Sequence, residues 1–362
     1  MAKSFAALVD EVEVELADTG NGTWTAAEVT AQLEKALKEI SDSTPYVIRE
    51  SYRFETRYGT AGSTAASALS DTAKGHFGSG DVGKEVFNLT DRTHAKIISF
   101  TSTAQVGLSK DIFTINEQYE IYHKDCHNQF QLNLENVTDY VGDKHGVQKI
   151  VYPIETAPEW RRNFHLEGDD QNIMTIDLAG TPPYSGSASA DVECFVFVNT
   201  RQRVSQLTDL SATLSATAAV GATTLAMTAL QGAGTIKEGD MFTVADMRGL
   251  YRVTADTTIA SSASAAVTFW PALDGAIAST ASTINFVKST LSPDLERIAV
   301  DLTTGICMMT GAGAPSNINS IMIGGPAVAA RYYQMGTERM ERARRELSAR
   351  IKPRTSQTYS NR

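Results

Sequence analysis

Cysteine is scarce in this chain: Cys126, Cys194 and Cys307 stand at wide, irregular spacings. That spacing excludes a disulfide framework and implies three reduced thiols in a cytosolic setting. Long apolar runs are missing as well, and no stretch approaches the roughly 18 residues that a membrane span needs. Residues 1–16 show an acidic amphipathic pattern in place of the apolar segment of a secretory signal. Cations are outnumbered, 32 Lys and Arg against 42 Asp and Glu, for a formal net charge of −10. An acidic total argues against a general nucleic-acid binder, whose phosphate contacts need a cationic surface, but not against a protein that DNA passes without sticking.

What is present is a globular composition, 42% hydrophobic and 20% charged, on 362 residues, enough for two or three domains with their own cores. Its charge is uneven. From Arg331 onward there are nine basic residues (Arg331, Arg339, Arg342, Arg344, Arg345, Arg350, Lys352, Arg354 and Arg362) against Glu338, Glu341 and Glu346. This end carries +6, so the preceding 330 residues carry −16. Such asymmetry points to an interaction tail, the plain alternative being a solvated helix face with a frayed terminus.

Phe5, Leu8, Val9, Val12 and Leu16 recur at the spacing of one helical face. After the turn at Gly20-Asn21-Gly22, Thr25 and Glu28 form a capping box, and Trp24 and Val29 a hydrophobic staple. Val29, Leu33, Leu37 and Ile40 continue that second helix. From Pro45 the pattern turns to short strands, beginning with Tyr46, Ile48, Tyr52 and Phe54 on one side, while 57–83 is Gly-, Ser- and Ala-rich and reads as a long loop. Residues 206–290 are Ala/Thr/Ser-rich, with Gly-punctuated β runs at 223–227, 240–244, 251–254 and 266–270. Helix returns at Ser292-Pro293-Asp294, with Leu295, Ile298, Ala299, Leu302, Ile306 and Met309 as its stripe, and a last basic helix covers 327–351.

The expected fold class is α+β: a four-helix bundle formed by the N- and C-terminal helix pairs, a mostly β middle domain, and an inserted small β-sandwich or barrel. Helices this short are marginal alone, so their apolar faces must meet. The expected core residues are Leu8, Val12, Leu33, Leu37, Leu295, Ile298, Leu302 and Leu347. The expected domains are 1–45 and 291–351 (the two halves of the bundle), 46–205 (β-rich), 206–290 (the insert) and 352–362 (an extended tail).

No catalytic constellation emerges. Gly78-x-Gly80-x-x-Gly83 matches a dinucleotide fingerprint in letters, but Lys84-Glu85-Val86-Phe87 after it reads as strand, and the phosphate cradle needs a helix N-terminus. His123, Cys126 and His127 could hold three corners of a zinc site, yet no fourth ligand is near and strand alternation separates Cys126 from His127. Asp169 and Asp170 beside Gly168 read as a hairpin turn. Arg161-Arg162 after Trp160 could bind an anion or stack on an aromatic. No enzyme activity, metal or cofactor is expected.

Six segments stand out: Tyr140-Val141, Val147-Gln148-Lys149-Ile150-Val151-Tyr152-Pro153, Ala157-Pro158-Glu159-Trp160-Arg161 with Phe164, the strand Val192 to Val198, Ser292-Pro293-Asp294-Leu295-Glu296, and the Arg-rich Glu338 to Ile351. Together they resemble the phage head-to-tail connector adaptor family. Val220 to Leu225, Lys237 to Asp240 and Tyr251 to Thr254 are similar to β-inserts of phage virion proteins. The resemblance implies a structural virion protein of the neck, made in the host cytoplasm. It would form a homo-oligomeric ring, commonly twelvefold, between the portal protein and a tail nozzle or tail-tube protein, and double-stranded DNA would pass through without sequence-specific binding. Arg345, Arg350, Lys352, Arg354, Tyr359 and Arg362 would dock into the portal. The alternative is another virion binding module, such as a tail-tip, fibre or head-decoration protein.

Overall fold

The computed structural model describes residues 2–350, except 56, 136, 138, 141–145, 155–158, 160, 169–171, 178–192, 229–233, 246, 248, 261–262, 274, 278–281 and 314–325. The described residues divide into two compact units, one within 1–46, 137–141 and 200–350, the other within 47–136 and 142–199.

The first unit holds four helices: α1 (Phe5–Glu15), α2 (Ala26–Ser43), α3 (Pro293–Gly313) and α4 (Pro326–Ser348). Ser4 caps α1 by accepting from Ala7 N at 3.2 Å. The capping box of α2 forms as its sequence dictates: Thr25 Oγ1 accepts from Glu28 N (3.3 Å) and Glu28 Oε2 from Thr25 N (2.8 Å). Between these helices Asp18 accepts from Gly22, Thr23 and Trp24 N, each at 2.8 Å. Burial works against its ionisation, but those donors outweigh it and hold the carboxyl below its usual range. Trp24 then reaches across the unit, donating from Nε1 to Cys307 O (3.1 Å) and stacking on Tyr332.

The expected bundle of two terminal helix pairs is overturned. The helices are organised about α3, which packs on α4, α2 and α1, while α2 meets α4 only slightly. The reason lies in α3 itself. Every residue from Ile298 to Gly305 is buried, so the helix is covered nearly all round and becomes a centre instead of one face of a pair. Ile306 and Met309, expected in its buried stripe, are only half-buried, whereas Val300, Thr303, Thr304, Cys307 and Met308 are inside.

Also in this unit, six strands close a barrel in the order Ser211–Leu214, Thr224–Thr228, Ala265–Trp270, Tyr251–Val253, Met241–Val244, Thr283–Phe286. Alternate residues point inward and fill it, led by Phe242, Tyr251, Phe269 and Phe286 with Leu225, Met227, Val267 and Ile284. The chain enters and leaves this barrel side by side. Ser205 N donates to Lys288 O (2.9 Å), and Thr290 Oγ1 donates to Gln202 Oε1 (2.7 Å). Gln202 N in turn donates to Ser41 Oγ on α2 (2.9 Å).

Among its described residues the second unit is built of β-strands and one short 3-10 turn. One sheet orders Tyr46–Arg53, Glu193–Thr200, Val147–Val151 and Arg161–Arg162; a second orders Phe164–Glu167, Ile173–Ile176 and Gln131–Asn133. A six-stranded sheet runs Tyr58–Thr60, Gln118–Lys124, Lys84–Asn88, Thr93–Ser102, Gln105–Leu108, Ala68–Ser70. Residues 57–83, read as a loop, therefore supply both edge strands of that sheet. Each edge strand has three residues, too few for a period to register.

Candidate functional site

The basic last helix is the sequence-derived candidate, and most of its charge is spent within the unit. Arg339 Nε donates to Asp301 Oδ1 at 3.0 Å, and its Nη2 pairs with Glu15. Arg342 Nη2 shares Asp301 Oδ1 at 3.1 Å. Arg344 forks onto Glu39, Arg297 pairs with Glu346, and Arg350 Nη1 reaches Asp294 Oδ2 at 3.0 Å. Asp301 is buried, accepts from two guanidiniums and has a third, that of Arg297, 3.9 Å away, whereas the Arg344–Glu39 pair is far more open.

Of the predicted docking residues, Arg345 is exposed, and its side chain has no partner among the described residues. Arg350 is half-buried against Asp294. Lys352, Arg354, Tyr359 and Arg362 lie outside the described residues, as do Trp160, Asp169 and Asp170. The expected core set Leu8, Val12, Leu33, Leu37, Leu295, Ile298, Leu302 and Leu347 falls in one apolar cluster around α3.

The other motifs separate. Gly78 and Gly80 sit at a short 3-10 turn, Ser79–Asp81, and Asp81 Oδ2 accepts from Gly78 N at 2.8 Å. A carboxylate thus occupies the backbone donor that a phosphate would need. Cys126 is fully buried, and burial pushes its thiol up to about 12. His123 Nε2 lies 2.8 Å from Arg53 O, and His127 Nδ1 is 3.3 Å from Glu85. Among the described residues no group of His, Cys, Asp and Glu could hold a metal ion.

Sequence reasoning missed a buried charge cluster in the six-stranded sheet's unit. Arg57 Nε and Nη2 fork onto Glu55 (2.8 and 2.9 Å), while Nη1 donates to Asp81 Oδ2 (2.9 Å) and to His76 O (2.8 Å). Lys84 Nζ joins Glu55 (2.7 Å) and Asp81 (3.1 Å). Burial pushes the Glu55 carboxyl up, yet the hydrogen bonds from Arg57 and the charges of Lys84 and Arg57 prevail and hold it well below its usual range. Beside this, Tyr119 OH donates to Asp71 Oδ2 (2.8 Å), and His76 Nε2 lies 2.9 Å from the same hydroxyl. Burial, then Arg57, lowers the His76 pKa. Glu55 and Asp81 are saturated by cations of their own unit, so what the cluster does chemically is hold charge in place. The only signal for it was charged residues inside a stretch rich in Gly, Ser and Ala.

No family model, curated protein or solved structure matches this chain.

Proposed function

We propose that this chain is a non-enzymatic structural virion protein, a head-to-tail adaptor. Its subunits form a ring that joins the portal to the tail nozzle or tail tube and continues the DNA channel. One observation carries the reading: α4 is riveted to α3, α1 and α2 by Arg339, Arg342 and Arg344, yet Arg345 stays exposed on it. A rigid helix of this kind presents the segment attached to its end, and the sequence after Arg350 carries Lys352, Arg354 and Arg362. Guanidiniums and an extended chain suit carboxylate-lined docking sites. Repetition around a ring multiplies weak single contacts. The resemblance of the segments at 147–153 and 292–296 to connector adaptors supplies the partner. The experiment is deletion of 351–362 followed by co-sedimentation with portal. A folded protein that no longer binds portal supports the reading, and undiminished binding rejects it.

A further inference from the structure

The four-stranded sheet of the second unit has two unlike faces. Its two-residue period puts Ile48, Ile150, Cys194 and Val196 inside, all at 4% exposure or less. The opposite face carries Arg49 and Arg53 from the first strand, Phe195 and Phe197 from the second, Lys149 from the third and Arg161 from the fourth. The register aligns them. Phe195 stands opposite Val151, which is buried between its neighbours at 4% exposure and stands opposite Arg161, and Phe197 stands opposite Lys149.

Cations lie on the rings. The Arg49 guanidinium carbon is 4.7 Å from the Phe195 centroid, and Lys149 Nζ is 4.1 Å from that of Phe197. Two carboxylates border the face: Glu193 pairs with Arg53 at 3.0 Å, and Glu159 with Lys149 at 3.0 Å and Arg161 at 4.0 Å. Arg53, Arg161 and Glu159 are open to water, so these pairs are weak enough for another anion to displace.

We propose that this sheet face binds single-stranded nucleic acid. Flat sheets bearing aromatics accept splayed bases on ring or guanidinium planes while nearby cations take the phosphates. Arg49 over Phe195 is already a cation-on-ring stack that a base can extend, and Lys149 and Arg161 lie within the same rows to meet the backbone. The net charge of −10 opposes any polyanion at long range, so binding is confined to this face and is strong only at low salt. The inference goes beyond the adaptor reading and stands without it.

The test is fluorescence anisotropy of the full chain with a labelled oligothymidylate of about twelve nucleotides, a site size within the range for stacking platforms. Salt-dependent binding is expected, with a log–log slope of about −2 to −3 for three or four neutralised phosphates. Arg49→Gln and Lys149→Gln should each flatten that slope by about 0.7. Arg49→Lys should keep the slope while weakening affinity a few-fold, because the planar stacking surface is gone. Phe197→Leu should weaken binding roughly tenfold, the scale of one lost base stack, with circular dichroism checking its fold. Absence of binding at 50 mM salt, or binding indifferent to Arg49→Gln and Lys149→Gln, overturns the proposal. So does equal affinity for a duplex of the same length. Equal affinity for poly-glutamate also overturns it, and assigns the face to acidic polypeptides.

Discussion

Gly305 of α3 and Gly336 of α4 face each other so closely that a Cβ on Gly305 would lie 2.9 Å from Gly336 O, and one on Gly336 would lie 2.8 Å from Gly305 O. Each glycine sits inside its helix, where it costs about 1 kcal/mol relative to alanine. The backbones meet here because neither residue has a side chain.

Gly336→Ala should therefore destabilise the helices although alanine favours helix. Overpacking costs about 1–3 kcal/mol, so a net loss of up to about 2 kcal/mol remains after the propensity gain of about 1 kcal/mol. Urea unfolding followed by circular dichroism measures it, and a stabilised variant would mean that the crossing has room for a methyl group.

Asp301 and Glu39 both anchor the last helix, but at different depths. Asp301→Asn leaves Arg342 beside a neutral group and Arg339 with Glu15 as its remaining carboxylate, and should cost about 2–3 kcal/mol, approaching the range for a broken buried pair. Glu39→Gln opens a more exposed pair and should cost at most about 1 kcal/mol. Comparing the two variants in the same melt checks the order.

Arg57→Met leaves Glu55 and Asp81 buried with Lys84 as their shared cation. In the intact cluster both carboxyls are held below their usual values, so the stability they contribute is present above those values and is lost as pH falls through the lowered ones. Without Arg57, burial opposes ionisation of both with Lys84 as the cation left to offset it. The variant should lose about 3–5 kcal/mol at neutral pH and regain part of it near pH 5. Thermal melts at the two pH values decide; a loss unchanged between them would mean that charge is not the cause.

Asp240 runs the other way. Burial raises its pKa from 3.8 to about 6, against the Lys237 backbone donor and Arg203, with Asp139 and Asp256 adding to the rise. An acid raised on folding imposes no penalty below its ordinary value, a growing one between the two, and the whole of it above the raised value. Asp240→Asn should keep the bond from Lys237 N and stabilise the protein by up to about 3 kcal/mol above pH 7, with little gain near pH 4. Paired melts across that range test it.

Much of the fold could be read from residues alone. Thr25, Glu28 and Trp24 announce α2 because capping is local chemistry. The barrel runs at 223–227 and 266–270 show because alternation with Gly punctuation is also local. The centre of the helical core could not be read this way. Thr303 and Thr304 look like surface residues in sequence, but their hydroxyls donate to Ala299 O (2.7 Å) and Val300 O (2.8 Å) of their own helix, which lets both be buried. Stripe counting on α3 therefore saw one apolar side where the folded helix has several. The cluster at Glu55, Arg57, Asp81 and Lys84 was hidden because pairing between segments far apart in sequence leaves no trace in spacing. Of the docking residues that the resemblance implies, Arg345 is in the open and Arg350 lies against Asp294, which spacing alone could not distinguish.

Lys3 N donates to Glu296 Oε1 at 2.8 Å, one visible thread of a core built from the two ends of the described chain. During synthesis α1 and α2 emerge first, yet the helix that covers their apolar sides begins only at Pro293. Until the ribosome has delivered α3, the early helices have little to bury against, while the barrel and the β unit can already settle. A nascent or prematurely terminated chain therefore carries a greasy, unfinished helix pair, a natural mark for chaperones and proteases. Only a chain read through past α3 can hide it.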